Sequence, residues 1–362
     1  MIAMERRAKR MAKVRGTRGY SSYHGRRTEK RWLAVLLALV LLAACGFLFA
    51  QRYIIYEADG SFRFELPWKK AAQTDDVPKQ SGDADTVPPD VEIVVEQPEV
   101  TDPHAVELDA TVLNDGWEAA LEALDEDTNA VAVRLKESSG RLLYDSKVQG
   151  AIDCGAVAGG SVAHSAIEGI TGSDYYTIAR ISTLHDSLYA YAHMTDAAVC
   201  QLTGYVWYDT YSTHWLAPEK QGARQYVTDV VAECAGLGFD ELLLDDFHYP
   251  RDGRMSRIKT DERTMTQQEA LALLCDDIRA ALKAADYKGK LSVSVDADIV
   301  LAGSEERTGI VMSELAEKFD RVYVPVTAEQ LESVAAAMSA YDTEFVPIVS
   351  EPTESGSYLI EK

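Results

Sequence analysis

Residues 238–250 read Gly238-Phe239-Asp240-Glu241-Leu242-Leu243-Leu244-Asp245-Asp246-Phe247-His248-Tyr249-Pro250. A short apolar run bounded by glycine and proline predicts a strand over 240–246, covered on both faces as strands of a parallel sheet are. Two adjacent carboxylates, Asp245 and Asp246, finish it. Strand alternation sends one to each face, so only one of the pair can look toward whatever the sheet encloses. Just upstream, Pro218 opens a helix carrying Tyr226, Val227, Val230 and Val231, which Gly236 or Gly238 closes. The stretch is therefore the junction of a helix with a buried strand.

The same alternation recurs on both sides. Further strands are expected at 106–112, 130–136, 176–182, 291–298, 321–326 and 344–349. Helix starts lie between them. Asn114 precedes Trp117, Leu121 and Leu124; Thr266 with Glu269 forms a capping box before Leu271, Leu274 and Ile278; Thr327 with Gln330 forms another before Leu331, Val334 and Met338. Repeated βα units with no GxGxxG after any strand favour an α/β fold of the TIM-type (β/α) barrel over a doubly wound sheet. The eighth strand falls at 357–360 with no helix separating it from the seventh. The barrel is therefore expected to be incomplete or irregular at strand eight.

Ahead of this domain the composition changes. A content of 47% hydrophobic and 26% charged residues excludes a wholly disordered, collagen-like or multi-span membrane chain. Residues 1–31 hold 11 Lys and Arg against 2 Asp and Glu, so a chain of net charge −22 divides into a tail of +9 and a remainder of −31. So acidic a body has no broad electrostatic case for nucleic acid. Residues 32–50 carry no charge over 19 positions, ~28 Å as a helix, enough to cross a bilayer. The positive-inside rule keeps the tail in the cytoplasm and sends the rest across. Six of the 11 prolines fall within 67–103, in an Asp-, Glu- and Thr-rich spacer expected to be extended and flexible. The expected organisation is a basic cytoplasmic tail (1–31), a transmembrane anchor (32–50), an extracytoplasmic stalk (51–103) and a barrel (104–362). The rival readings are a lipoprotein anchored at Cys45, from Leu42-Ala43-Ala44-Cys45, and a cleaved signal peptide.

Chemistry in a barrel gathers at the C-terminal strand ends. In strand five, Ser292, Ser294, Asp296 and Asp298 share one face, which is expected to point into the mouth. Adjacent strands lie ~4.8 Å apart, so carboxylates ending strands four and five would stand near the ~5 Å separation of a retaining glycosidase. There one carboxylate attacks the anomeric carbon and the other protonates the leaving oxygen. The competing explanation is that these Asp residues cap helices or bind a structural cation. Cys154, Cys200, Cys234 and Cys275 fit no zinc or CxxC spacing; free, mostly buried thiols are expected, with two disulfides the alternative. No HExxH, EF-hand loop or His cluster points to a metal, and no cofactor is expected.

At these same residues the chain resembles a known family. Gly238 to Pro250 is similar to the GFDEIQFDYVRFP signature of a bacterial envelope family of glycoside hydrolases, TIM barrels distantly similar to the α-amylase superfamily. Asn129 to Lys136 resembles its NAVVIDVK strand, Ala179 through Asp186 its ARIVVFKD segment, and Val293 to Asp296 its VSAD. Trp207, Asp209 and Trp215 match a tryptophan-rich loop. The resemblance covers residues 105 to about 326 and implies Asp245 as nucleophile and Asp296 as acid/base. Carried over by position, Arg180 would sit at the mouth to hold a carboxylate or sugar hydroxyl, and Arg134 would do the same or pair with Glu137. Lys136, Asp298 and His248 are further candidate substrate-binding groups, His248 alternatively structural, and Trp207, Trp215, Tyr208 and Tyr249 are either sugar-stacking faces or core and rim packing. Arg134 stands where the family has Asp, Asp246 and His248 where it has Tyr and Arg, and the strand-six motif is reduced to Tyr323-Val324-Pro325-Val326. Arg251, Arg254, Arg257, Lys259 and Arg263 form a basic loop, suited either to an anionic glycan or simply to solvent.

The expected protein is a membrane-anchored, extracytoplasmic glycoside hydrolase acting on a cell-wall or other envelope polysaccharide. The alternative is an inactive barrel that binds a glycan or envelope protein. The topology has a direct test. Protease added to intact cells should remove everything beyond about residue 51 and spare the basic tail, whereas labelling of Cys45 by a diacylglycerol precursor would establish the lipoprotein.

Overall fold

The computed structural model describes residues 100–361 except 262, 354 and 355, together with the backbone of two short strands nearer the N-terminus. The chain divides into two units, Met1–Ile93 and Val94–Lys362. In the first, Ile54–Tyr56 and Phe62–Phe64 pair as an antiparallel ribbon. The expected tail, anchor and stalk otherwise lie outside the described residues. Among the described residues, no helix is long and apolar enough to cross a membrane.

The second unit holds a closed barrel of eight parallel strands. In chain order these are β1 (His104–Leu108), β2 (Ala130–Lys136), β3 (Tyr176–Ser182), β4 (Glu241–Asp245), β5 (Lys290–Ser294), β6 (Arg321–Pro325), β7 (Glu344–Val349) and β8 (Tyr358–Ile360). Each pairs with its sequence neighbours, and β8 pairs with β7 and β1 through Ile348↔Leu359 and Leu359↔Ala105. The expected gap at strand eight is thus absent. Three residues of strand suffice, because Tyr358 N and Glu361 N donate outward to Pro103 O (2.8 Å) and Val349 O (3.1 Å).

Two strand ends differ from expectation for local reasons. β1 stops at Leu108 because the Asp109 carboxylate accepts from Thr111 N at 2.8 Å and starts a 3-10 turn, Ala110–Leu113. β5 stops at Ser294 because Asp296 is already at the N-terminal boundary of the helix Ala297–Ala302, its backbone oxygen accepting from Ile299 N at 3.1 Å while its side chain makes no capping bond. The helix expected after Pro218 runs Gln221–Ala235 and ends at Gly236, burying Tyr226, Val227, Val230, Val231 and Cys234. The Thr266–Glu269 capping box is present in full. At the Thr327–Gln330 box, the Gln330 side chain accepts from Thr327 N at 3.1 Å.

Inside the ring, alternation stacks the inward side chains in tiers. The middle is apolar: Ala105, Ala130, Ala132, Ile178, Leu243, Tyr323, Val346, Ile348 and Leu359 pack together. Below it, Glu241 and Arg321 are both fully buried and paired at 2.6 Å. Ser292 Oγ (2.5 Å) and Tyr176 Oη (3.0 Å) also donate to Glu241, and Arg321 reaches Glu344 and Val100 O. This floor closes the N-terminal end of the barrel.

Removing one member of such a pair strands the other, at a cost of about 3–5 kcal/mol, whereas replacing both with apolar groups of similar volume is far milder. Arg321→Met is expected to lose that much stability in urea unfolding, and Glu241→Leu combined with Arg321→Met to recover most of it.

Candidate functional site

On β4, Glu241 and Leu243 face the axis, Leu242 and Leu244 join the outer core, and Asp245 returns to the axis at the C-terminal end. Asp245 O accepts from Thr183 N and Thr183 Oγ1, both at 2.9 Å, which ties its backbone to the end of β3. The next residue leaves the strand: Asp246 has φ 54°, a left-handed conformation that Asp tolerates. Its Oδ2 accepts from Ser182 Oγ at 2.5 Å. The two adjacent carboxylates therefore part, one to the axis and one to the rim of β3.

Asp245 belongs to a tier of five charges at the mouth. Arg180, inward on β3 two residues beyond Ile178, holds it at both carboxylate oxygens, Nε to Oδ2 at 3.0 Å and Nη2 to Oδ1 at 3.1 Å. Arg180 Nη1 also reaches Glu107 Oε2 of β1 at 2.6 Å and Glu361 Oε1, just past β8, at 3.1 Å. Arg134 of β2 makes a second bridge, with Nη2 on Glu107 Oε1 at 2.9 Å and Glu361 Oε1 at 3.2 Å, and Nη1 at 3.5 Å from Asp245 Oδ2. Burial raises the Glu107 carboxyl above its ordinary pKa, against the pull of both arginines. For Arg180 burial acts the other way, yet its ion pairs with Asp245 and Glu107 prevail and its pKa lies above the usual guanidinium value.

A cleft of about 1090 Å³ lies over the ends of β6, β7 and β8, lined by Val326, Thr327, Val349, Ser350, Glu351 and Glu361 among others; of the five charges of the tier, Glu361 is the one that lines it. Such a mouth, with polar groups converging beneath an open cleft, is where barrel enzymes work.

Asp296 and Asp298 are not on the strand. Asp296 lies past the end of β5, half-exposed, with Oδ2 2.5 Å from Arg251 Nη1. Asp298 sits in the first helical turn, where two Arg251 nitrogens hold it and lower its pKa. Arg251 Nε also meets Glu305 at 2.9 Å, and Arg263 Nε meets Glu219 at 3.3 Å. Two cations of the basic loop are thus neutralised inside the domain rather than offered to an anionic glycan.

Several expected substrate contacts are packing groups instead. Lys136 is buried, 2.9 Å from the equally buried Asp186 and donating to Ser182 O at 2.8 Å; a register shift between Arg134 and Lys136 separates it from the mouth tier. Trp207 is buried with Nε1 on Arg254 O at 3.2 Å, and Tyr249 is buried with its hydroxyl on Glu219. Trp215 is buried too, stacked on His185 at 4.2 Å and donating to Asp209 at 3.0 Å. His248 packs 5.2 Å from Trp215 with Nδ1 2.7 Å from Tyr249 O. Of the four expected aromatic faces only Tyr208 is exposed; Tyr205 and Tyr211 of the same loop are exposed as well. Arg134 pairs with Glu107 rather than with Glu137. The four described cysteines are unpaired. Among the described residues no group of His, Cys, Asp or Glu could hold a metal ion.

Sequence reasoning missed Glu107 and Glu361. The first strand was expected two residues late, which put Glu107 near its start instead of its mouth end. Glu361 follows Leu359 by two positions, the same step that links Asp245 to Leu243, and that rule would have found it.

Residues 110–344 match a family described as "Putative glycosyl hydrolase domain". Among curated protein sequences, none matches the chain. Solved structures similar to it include a hypothetical protein from Ruminiclostridium thermocellum, 18% identical over 52% of this chain and 96% of that one, with a TM-score of 0.44. Ega3 from Aspergillus fumigatus, in complex with galactosamine, is 12% identical over 70% and 78%, with a TM-score of 0.40. The α-amylase from H. orenii is 10% identical over 68% and 60%, with a TM-score of 0.43.

Arg180 is one of the cations that hold the Glu107 carboxyl down, so removing it raises that pKa further. A carboxyl whose folded-state pKa exceeds its unfolded value stabilises the fold below that value and loses the contribution as pH rises through it. Arg180→Met is therefore expected to lose about 3–5 kcal/mol at pH 7 and distinctly less at pH 4, measured by urea unfolding at both.

Proposed function

The chain belongs to this glycosyl hydrolase family, and on that premise we propose that it hydrolyses a polysaccharide outside the cytoplasm, with Asp245 as nucleophile. The observation that carries the reading is Asp245 itself: an inward carboxylate at the C-terminal end of β4, aimed by a two-point contact with Arg180, which also holds the cleft-lining Glu361. A guanidinium that binds both carboxylate oxygens fixes the side chain's orientation and favours its anionic form, which is what attack on an anomeric carbon requires. The proposed chemistry is double displacement with retention, and a second carboxylate supplies the proton. The uncharged run at 32–50 and the +9 tail support tethering to a membrane, and thus an envelope or extracellular polysaccharide as substrate.

A second reading, a barrel that binds glycan without cleaving it, is favoured by Asp296: it lies past the strand end on Arg251, away from the place where the family resemblance puts an acid/base. One experiment separates the two. The full-length chain is tested on a polysaccharide panel for both release of reducing ends and retention on insoluble glycan. Hydrolysis that Asp245→Asn lowers at least about a thousandfold, with glycan retention kept, is the expected result. Retention without hydrolysis in the wild type would select the binding module.

A further inference from the structure

Resting on the hydrolase reading, we propose that Glu361 is the acid/base partner of Asp245, with Glu107 as the positioning residue beside it. Glu361 follows β8, two positions after the interior Leu359, and so enters the mouth by the same alternation that brings Asp245 in from β4. It and Glu107 share two nitrogens: Arg180 Nη1 lies 3.1 Å from Glu361 and 2.6 Å from Glu107, and Arg134 Nη2 lies 3.2 Å and 2.9 Å from them. The two glutamates are thereby clamped side by side, while Asp245 occupies the other edge of the Arg180 guanidinium. Carboxylates resting on one guanidinium are near neighbours, the arrangement double displacement uses.

Exposure sorts the roles. The Glu361 side chain is 43% exposed and lines the cleft, against 10% for Glu107 and 9% for Asp245. Glu361 alone of the three both touches the arginines and fronts the space a sugar would fill. Glu107 is walled in by Arg134, Arg180, Asp245 and Glu361, and burial raises its pKa, with the Glu361 charge adding to the rise.

In the first step an Asp245 oxygen bonds to the anomeric carbon as the glycosidic C–O bond breaks, and the Glu361 proton passes to the departing oxygen. In the second, water attacks the anomeric carbon, its proton returns to Glu361, and Asp245 leaves as carboxylate.

The test uses the full-length chain on paired aryl hexosides that carry either a phenyl or a 2,4-dinitrophenyl leaving group. Glu361→Gln is expected to lower kcat on the phenyl member about 10²–10⁴-fold, and far less on the dinitrophenyl member, which departs without a proton. Glu361→Asp should recover part of the loss, and matched thermal melts exclude misfolding as its cause. Glu107→Gln removes the neighbouring charge, so the alkaline limb of kcat/KM should move to lower pH. Wild-type kinetics in Glu361→Gln, or the leaving-group signature appearing in Asp296→Asn instead, would overturn the assignment while the hydrolase reading stands. No turnover by the wild type on these probes and on polysaccharides would overturn both.

Discussion

Arg180 is the point on which the mouth of this barrel depends. Three acidic side chains, Glu107, Asp245 and Glu361, converge there because strand alternation leaves them no other direction. Unpaired, they would repel one another in a largely desolvated space, and burying even one uncompensated charge is prohibitive. A single guanidinium with carboxylates on several edges resolves this, since its planar fork can donate to more than one partner at once. Arg134 shares the load from β2. The result is a rigid charged tier with five side chains held in mutual register.

The tier sits on an apolar layer, which in turn sits on the Glu241–Arg321 floor. The floor pair is fully buried and hydrogen-bonded to Ser292, Tyr176 and Glu344, so it fills the barrel at that end. The mouth is left as the end where solvent and a ligand can meet the interior. The same stacking explains why closure at β8 needs so little strand: Leu359 fills the interior layer and Glu361 the tier above it, and each is stabilised by what lies across the axis rather than by a long hydrogen-bonded ladder.

Around the rim, charge is spent on holding loops. Arg251 gathers Asp296, Asp298 and Glu305, and buried Trp207, Trp215 and Tyr249 anchor the excursions after β3 and β4. Residues that look like sugar platforms in the sequence thus become the supports of the loops that frame the cleft. An aromatic next to a polar partner satisfies a buried loop as readily as it stacks on a ligand.

The amino-acid sequence alone determined the strand–helix alternation, the capping box at Thr266 and the parting of Asp245 from Asp246 to opposite sides, because these follow from periodicity and from residues close together in the chain. It also contained Arg180 at the mouth, two steps beyond Ile178. It did not determine where β1 and β5 stop. Those ends depend on the Asp109 side chain starting a 3-10 turn and on the Asp296 backbone starting a helix, a competition between local hydrogen bonds and the sheet that the apolar pattern does not register. Four residues of error at each end hid Glu107 and put Asp296 on the wrong element. Nor could the sequence pair Glu107 with Glu361, which are separated by almost the whole domain and become neighbours only when the ring closes. Closure is a tertiary event: it joins β8 to β1, sets three acids around one guanidinium, and decides which carboxylates share a site.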